Sequence, residues 1–326
     1  MAEVLAVDGL TVRLAAHPDH SSILADVSFN VAPGEVLGIV GESGSGKSVL
    51  ALSVMGLLPP ALRMQARRIA VLGDELAEKP REAWRAHRGR DMAMIFQEPM
   101  TSLNPVMRIG TQIGEVLRWR GGMRGGAARR RALELLEQVE IPSPRSRLDA
   151  FPHELSGGMR QRVMIAIALA ASPKLLIADE PSTALDVTVQ AQILDLLRGW
   201  QRQTGLSLML ITHDLGVIAE IADRVMVLYA GRVAEMAPVR AIFDAPAHPY
   251  TQVLLASIPD IAGRRARLAT IPGSVPGAMG MPPGCRFAPR CPYCQPPCEL
   301  APPELRPLSP DHAVSCLRAF GELAAR

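Results

Sequence analysis

Residues 41 to 48 read Gly-Glu-Ser-Gly-Ser-Gly-Lys-Ser, the G-x-x-x-x-G-K-S spacing of a phosphate-binding loop. The chemistry it predicts is binding of a nucleoside triphosphate. Glycines at 41, 44 and 46 let the backbone N–H groups of Gly41, Ser43, Gly44, Ser45 and Gly46 turn inward around phosphate oxygens, and the helix that follows presents its positive end to them. Lys47 is placed to reach the β- and γ-phosphates and the Ser48 hydroxyl to ligate Mg²⁺. Lysine occurs at only two other positions, Lys79 and Lys174, although arginine is abundant. A lysine where the motif demands one is therefore not a by-product of composition. A glycine-rich turn before a core helix is the bland alternative; the apolar run Glu35–Val40 before the loop and the helical stretch 49–58 after it supply the strand–loop–helix setting that the motif requires.

A triphosphate site needs acids for its metal and its water, and Asp179-Glu180 ends the apolar run 175–178. Ligands of open parallel sheets sit beyond the carboxyl ends of strands. Asp179 is assigned to Mg²⁺ and Glu180 to polarising the attacking water. Paired acids also suit a helix N-cap, and Pro181-Ser182 fits that, but a phosphate loop in the same chain favours catalysis. His213 ends the apolar run 207–211 and Gln97 follows the run 91–96. At strand ends both face the same crevice, His213 toward the γ-phosphate and Gln97 toward Mg²⁺ or the water. Leu155-Ser156-Gly157-Gly158-Met159-Arg160-Gln161 opens a further helix with exposed N–H groups, a second anion site. One chain with two phosphate sites makes sense if the second completes the site of another subunit.

These residues require positioning elements. Stretches 4–14 and 23–31 read as strands, with Pro33-Gly34 turning into the strand before the loop. Residues 59–91 read as small strands and loops. Residues 98 to about 168 form a helical insert, with helices at 109–118, 127–139 and 155–171. The amphipathic helix 187–200, the helix 215–222 and a hairpin of 224–229 with 232–237 complete the pattern. Buried apolar strands alternating with helices imply an α/β fold with a mostly parallel sheet covered on both faces. The arginines between Arg118 and Arg131 read as a solvated face; no aromatic interleaving supports nucleic acid.

The length of 326 residues predicts about two domains, and 48% hydrophobic residues allow a sizeable core. A net charge of +3 gives no general argument for nucleic-acid binding. No uninterrupted apolar run of about 18 residues is present to span a membrane. The N-terminus lacks the pattern of a signal peptide, so the expected location is the cytoplasm, with cysteines reduced or metal-bound.

Taken together, the phosphate loop, Phe96-Gln97, Leu-Ser-Gly-Gly, Leu-Leu-Ile-Ala-Asp-Glu180, Thr183-Ala-Leu-Asp186 and Thr212-His213-Asp214 resemble, in order, the ATPase subunits of ABC transporters over residues 1 to about 240. The resemblance implies a phosphate-loop ATPase with a RecA-like, mostly parallel core, an antiparallel β subdomain and a helical insert. It implies head-to-tail pairing with a second ATPase subunit, often a non-identical homologue. Ser156, Gly157, Gly158 and Gln161 would then act in trans on the partner's nucleotide, and Asp186 would lie at the contact. Residues 97–105 (Gln-Glu-Pro-Met-Thr-Ser-Leu-Asn-Pro), His248-Pro249-Tyr250-Thr251 and 283–291 resemble the oligopeptide/dipeptide importer group, extending the likeness to the C-terminal region 241–326. This implies two transmembrane permeases, an extracytoplasmic solute-binding protein and a place on the cytoplasmic face of the inner membrane. Nickel importers share the style of 97–105, and a soluble ABC ATPase of DNA or ribosomes is the remaining alternative, disfavoured by the absence of coiled-coil insertions. One departure stands out: no aromatic residue precedes Val27-Ser28-Phe29 to stack on adenine, only Ser21, Ser22, His17 and His20.

All five cysteines fall between Cys285 and Cys316, spaced x5, x2, x3 and x17 among many prolines. A region poor in apolar residues needs a staple, and in a reducing compartment four thiolates suit Zn²⁺ or an iron–sulfur cluster. The importer resemblance implies a [4Fe–4S] cluster on Cys285, Cys291, Cys298 and Cys316, leaving Cys294 aside.

Overall fold

A computed structural model describes residues 3–17, 22–98, 102–181, 186–257, 271 and 273–323. His20, Ser21, residues 99–101 and residues 182–185, which carry some of the expectations above, lie outside the described residues.

Along the chain, β1 (Leu5–Leu14), β2 (Leu24–Val31) and β3 (Val36–Val40) lead to α1 (Lys47–Val54). Three short strands follow, β4 (Leu62–Gln65), β5 (Arg68–Val71) and β6 (Asp74–Glu75), then α2 (Arg81–His87) and β7 (Met92–Ile95). The helical insert contains α3 (Ile109–Trp119), α4 (Gly125–Gln138), α5 (Pro144–Arg147) and α6 (Gly157–Leu169). Then come β8 (Leu175–Asp179), α7 (Val187–Thr204), β9 (Ser207–Ile211), α8 (Leu215–Ile221), β10 (Arg224–Tyr229) and β11 (Arg232–Pro238). The C-terminal region adds α9 (Val239–Asp244), α10 (Pro249–Ala256), α11 (Pro297–Leu300), β12 (Arg306–Ser309) and β13 (His312–Val314).

These elements form two compact units that interleave along the sequence. The first holds residues 1–5, 32–35 and 71–209, the second 6–31, 36–70 and 210–326. Through β9 the chain passes from one to the other.

In the first unit β7 and β8 pair in parallel, Met92 opposite Leu175 through Ile95 opposite Ala178. Every residue of both strands is buried, the continuous apolar pattern of a strand covered on both faces. Helices α3, α4 and α6 pack on one another. Buried Ile109, Gln112, Ile113 and Leu117 line one face of α3, and Ala128, Ala132, Leu135 and Leu136 one face of α4, the three- and four-residue spacing of an amphipathic helix. The arginine run between them faces solvent, with Arg129 on Asp149 at 2.7 Å and Arg131 on Glu134 at 2.9 Å, as a solvated face should. Helix α2 was not expected from sequence. Only Trp84 and His87 of its seven residues are buried, too few to write a period.

In the second unit β1 is flanked by β2 and β5 and also pairs with β4, antiparallel. A second set runs β12-β13-β11-β10-β3, with β10 parallel to β3 and antiparallel to β11. The β10–β11 hairpin turns at Ala230 and Gly231, with φ of 46° and 78°, the left-handed pair of a tight two-residue turn. The C-terminal strands were also unexpected: β13 pairs Val314 with Glu235 and Ala313 with Met236 of β11.

This junction holds a buried acid–base group. Glu235, fully buried, accepts from the N–H groups of Ala247 (2.7 Å) and His248 (3.0 Å) and pairs with His312 Nε2 at 2.7 Å. His248 Nδ1 accepts from Tyr250 N at 3.0 Å, capping α10. Burial pushes the His248 imidazole down to about 4. Its folded value therefore lies below the unfolded one, and between about 6.5 and 4 the unfolded chain binds the extra proton. Stability should rise with pH across that window and fall on acidification, by on the order of 3 kcal/mol in total. Thermal midpoints between pH 7 and 5 measure the slope. His248→Asn, which retains a capping acceptor, should flatten it.

Candidate nucleotide site

The phosphate loop belongs to the second unit. The five buried residues of β3 deliver the chain to Gly41. A Cβ at Gly41 would run into the Leu228 carbonyl and the Ser45 hydroxyl, so no other residue fits there. Gly46 starts α1 with φ 101°, open to glycine and strained for any side chain. Lys47 is buried, and its Nζ donates to the carbonyls of Gly41 (2.7 Å) and Glu42 (3.0 Å). The amine is thus held across the mouth of its own loop. Ser45 Oγ is buried and has no hydrogen-bond partner among the described residues, and a phosphate oxygen would supply one. Ser48, Ser43 and Gly44 are exposed at the rim. This cradle fits a triphosphate, and the Ser48 hydroxyl fits its Mg²⁺.

His213 also belongs to the second unit and is exposed just beyond β9. Its loop is fixed on both sides. Thr212 Oγ1 accepts from Asp214 N at 3.0 Å, and Asp214 Oδ1 caps α8 through Gly216 N at 2.8 Å.

The acidic residues Asp179 and Glu180 belong to the first unit. Asp179, 4% exposed, closes β8. The parallel register sets Ile95 opposite Ala178, so Gln97 and Glu180 each lie two residues beyond a matched pair. Gln97 Nε2 donates to Glu180 Oε2 at 3.2 Å, which brings the two side chains together. Glu180 adopts φ 47°, a left-handed conformation that costs a non-glycine residue on the order of 1–3 kcal/mol and clusters at functional sites.

Ser156 caps α6, its Oγ accepting from Met159 N at 3.3 Å, and Ser156 and Gly157 stay exposed. A Cβ on Gly158 would press on Val189 Cγ1 at 3.1 Å, so this glycine also serves the packing of α6 on α7. Gln161, expected to act in trans, makes a contact within its own chain. It is 2% exposed, and its Nε2 donates to Pro181 O at 2.5 Å. A side chain so enclosed props the acidic turn from within its own chain. Asp186 caps α7, accepting from Val189 N at 2.9 Å.

Cys285, Cys291, Cys298 and Cys316 line one small pocket with His248, Phe287 and Tyr293; Cys294 is not in that lining. Burial pushes the thiols up, Cys285 to about 12 and Cys291 to about 11, and Cys316 in the same direction. All five are free thiols. Among the described residues no group of three or more His, Cys, Asp or Glu is drawn together as a metal's ligands, so the expected metal staple has no ready-made site. The soft donor set nevertheless fits a thiophilic metal, whose binding must displace protons that burial holds on the sulfurs.

Two roles escaped the sequence reading. Tyr250 and Arg290 both reach Glu42 of the phosphate loop. Their separations of more than 200 residues leave no local signal.

Comparison with known proteins agrees with this geometry. Residues 24–183 match the ABC transporter family, and residues 234–298 match the oligopeptide/dipeptide transporter C-terminal region. A putative peptide import ATP-binding protein of Brucella abortus is 49% identical over 315 residues, 97% of this chain and 95% of that protein. The dipeptide transport ATP-binding protein DppD of Escherichia coli is 48% identical over 313 residues, 96% of each. Among solved structures, a dimeric ATP-binding cassette in a post-hydrolysis state with ADP and Pi aligns with a TM-score of 0.64 at 27% identity, over 72% of this chain and 99% of that one. The cassette cbiO1 from Clostridium perfringens, part of the transporter complex cbiONQ, aligns at 0.63 and 26% identity, over 75% and 92%. The α/β cassette fold expected from sequence is thus confirmed, and the chain belongs to the ATP-hydrolysing subunits of ABC transporters, in the oligopeptide/dipeptide group.

Proposed function

We propose that this ATPase drives uptake of dipeptides and oligopeptides. The observation that carries the reading is likeness over nearly the whole chain, C-terminal region included, to relatives named for peptide and dipeptide import. In this reading Ser43–Ser48 and Lys47 hold the triphosphate, and Ser48, Asp179 and Gln97 hold Mg²⁺, which offsets phosphate charge. Glu180 takes the proton of the attacking water, aligned by Gln97 and helped by His213. Ser156, Gly157 and Gly158 close on the nucleotide of a second, homologous ATPase subunit, and Asp186 meets that subunit. No helix among the described residues is long and apolar enough to cross a membrane. In this reading the translocation path comes from two permeases, with this subunit on the cytoplasmic face of the inner membrane and an extracytoplasmic binding protein delivering cargo. Cys285, Cys291, Cys298 and Cys316 would hold a [4Fe–4S] cluster, or Zn²⁺ in its place. The group would cross-link a region that has few apolar residues of its own.

The test is reconstitution of the chain with its permeases, second ATPase and binding protein. The expected result is ATP hydrolysis stimulated by di- or oligopeptides. Stimulation by Ni²⁺ and not by peptides would overturn the cargo. Absorption spectra and metal analysis of the same anaerobic preparation distinguish iron from zinc.

A further inference from the structure

Glu42 is the second residue of the phosphate loop, and the C-terminal region grips it at three points. Its backbone N–H donates to Tyr250 Oη at 2.9 Å. Its carboxylate accepts two parallel bonds from the Arg290 guanidinium, Nη1 to Oε1 at 3.1 Å and Nη2 to Oε2 at 3.0 Å. The Arg290 side chain is only 6% exposed, and it is fixed in turn by Tyr229 Oη at 3.2 Å and the Ile271 carbonyl at 3.2 Å. Tyr250 is fully buried, its ring 4.6 Å from that of Tyr229 and 5.4 Å from that of Phe287. Neither gripping group has freedom to follow the loop; the loop must follow them.

Glu42 in turn holds the lysine of the phosphate loop. Its carbonyl accepts from Lys47 Nζ at 3.0 Å and from Ser45 N at 3.1 Å. A displacement of Glu42 therefore moves the amine and the N–H groups meant for phosphate. Charge works in the same direction. A carboxylate in a loop that must receive a polyanion repels it, and the bidentate arginine cancels that charge while fixing its geometry.

We propose that Arg290 and Tyr250 are positioning residues for ATP. They hold the phosphate loop in its binding shape through Glu42 and mask the Glu42 carboxylate from the triphosphate. The proposal rests on ATP binding at this loop, which wild-type titration establishes independently. Arg290 immediately precedes Cys291, so the loop's shape also depends on the fold of the cysteine region.

The test is a double-mutant cycle on the full-length chain, read as MgATP affinity by calorimetry and as KM and kcat in the assembled importer. Arg290→Ala should weaken binding about tenfold, the scale of one charge-assisted hydrogen bond, raising KM with little change in kcat. Arg290→Lys should recover part of the loss. Adding Glu42→Ala to Arg290→Ala should restore affinity in part, because the stranded carboxylate is then gone. A folded Arg290→Ala protein with wild-type affinity overturns the proposal, as do losses that simply multiply in the double variant. Should Arg290→Ala not fold, Tyr250→Phe carries the test through the Glu42 N–H. An affinity reduced about threefold or more supports the proposal, and an unchanged one overturns it.

Discussion

Glu180→Gln is expected to bind MgATP as the wild type does and to lose turnover by about 10²–10³-fold, within the range typical of a lost general base. The substitution is nearly isosteric. The amide keeps the size of the side chain and its place beside Gln97, 3.2 Å away, and the left-handed backbone at φ 47° is unaffected by the exchange of one oxygen for nitrogen. What disappears is the capacity to take a proton from water. Binding and chemistry should therefore separate cleanly: affinity stays, phosphate release stops, and two subunits accumulate as a nucleotide-bound pair. Phosphate release and size-exclusion chromatography in MgATP measure both. Hydrolysis within threefold of wild type would remove Glu180 from the base role.

Lys47→Ala should fail at the step before. Its Nζ is buried and held by two carbonyls of its own loop, a site prepared for a cation facing phosphates. Removing the charge takes away one or two charge-assisted contacts to the nucleotide, each worth about 1.5–3 kcal/mol. MgATP affinity should drop by about a hundredfold, which corresponds to about 2.7 kcal/mol. Calorimetric titration measures the loss, and affinity within threefold of wild type would contradict the assignment. The two variants fail differently, one by tight unproductive binding and the other by absent binding.

What sequence reading recovers is what backbone geometry or local contact compels. Gly41 and Gly46 are legible because a Cβ collides or the φ is positive. Asp179 and Glu180 are legible because a fully buried five-residue strand must end where the polar residues begin. Ser156 as a helix cap follows from one local hydrogen bond. Long-range partners carry no such mark. Nothing near Glu42 announces Arg290 or Tyr250, which reach it from 248 and 208 positions away. Gln161 looked like part of the exposed signature because the motif is contiguous, yet from that residue onward every residue of α6 but Ile167 is buried. Strand β13 has only three residues in a proline-rich stretch, below the length at which alternation can be read, and only its pairing with β11 and β12 reveals it.

The interleaving of the two units sets a timetable for synthesis. The first unit draws its main body from one uninterrupted stretch, residues 71–209, whereas the second needs residues 6–31 and 36–70 together with 210–326. As the ribosome delivers the chain, the phosphate loop emerges early and its partner Arg290 only about 240 residues later. At about 5–20 residues per second that is a delay of roughly 12–48 s, during which Glu42 lacks its arginine and, for most of it, β3 lacks its parallel neighbour β10. The nascent nucleotide loop is thus born before the parts that shape it, Tyr250 and Arg290.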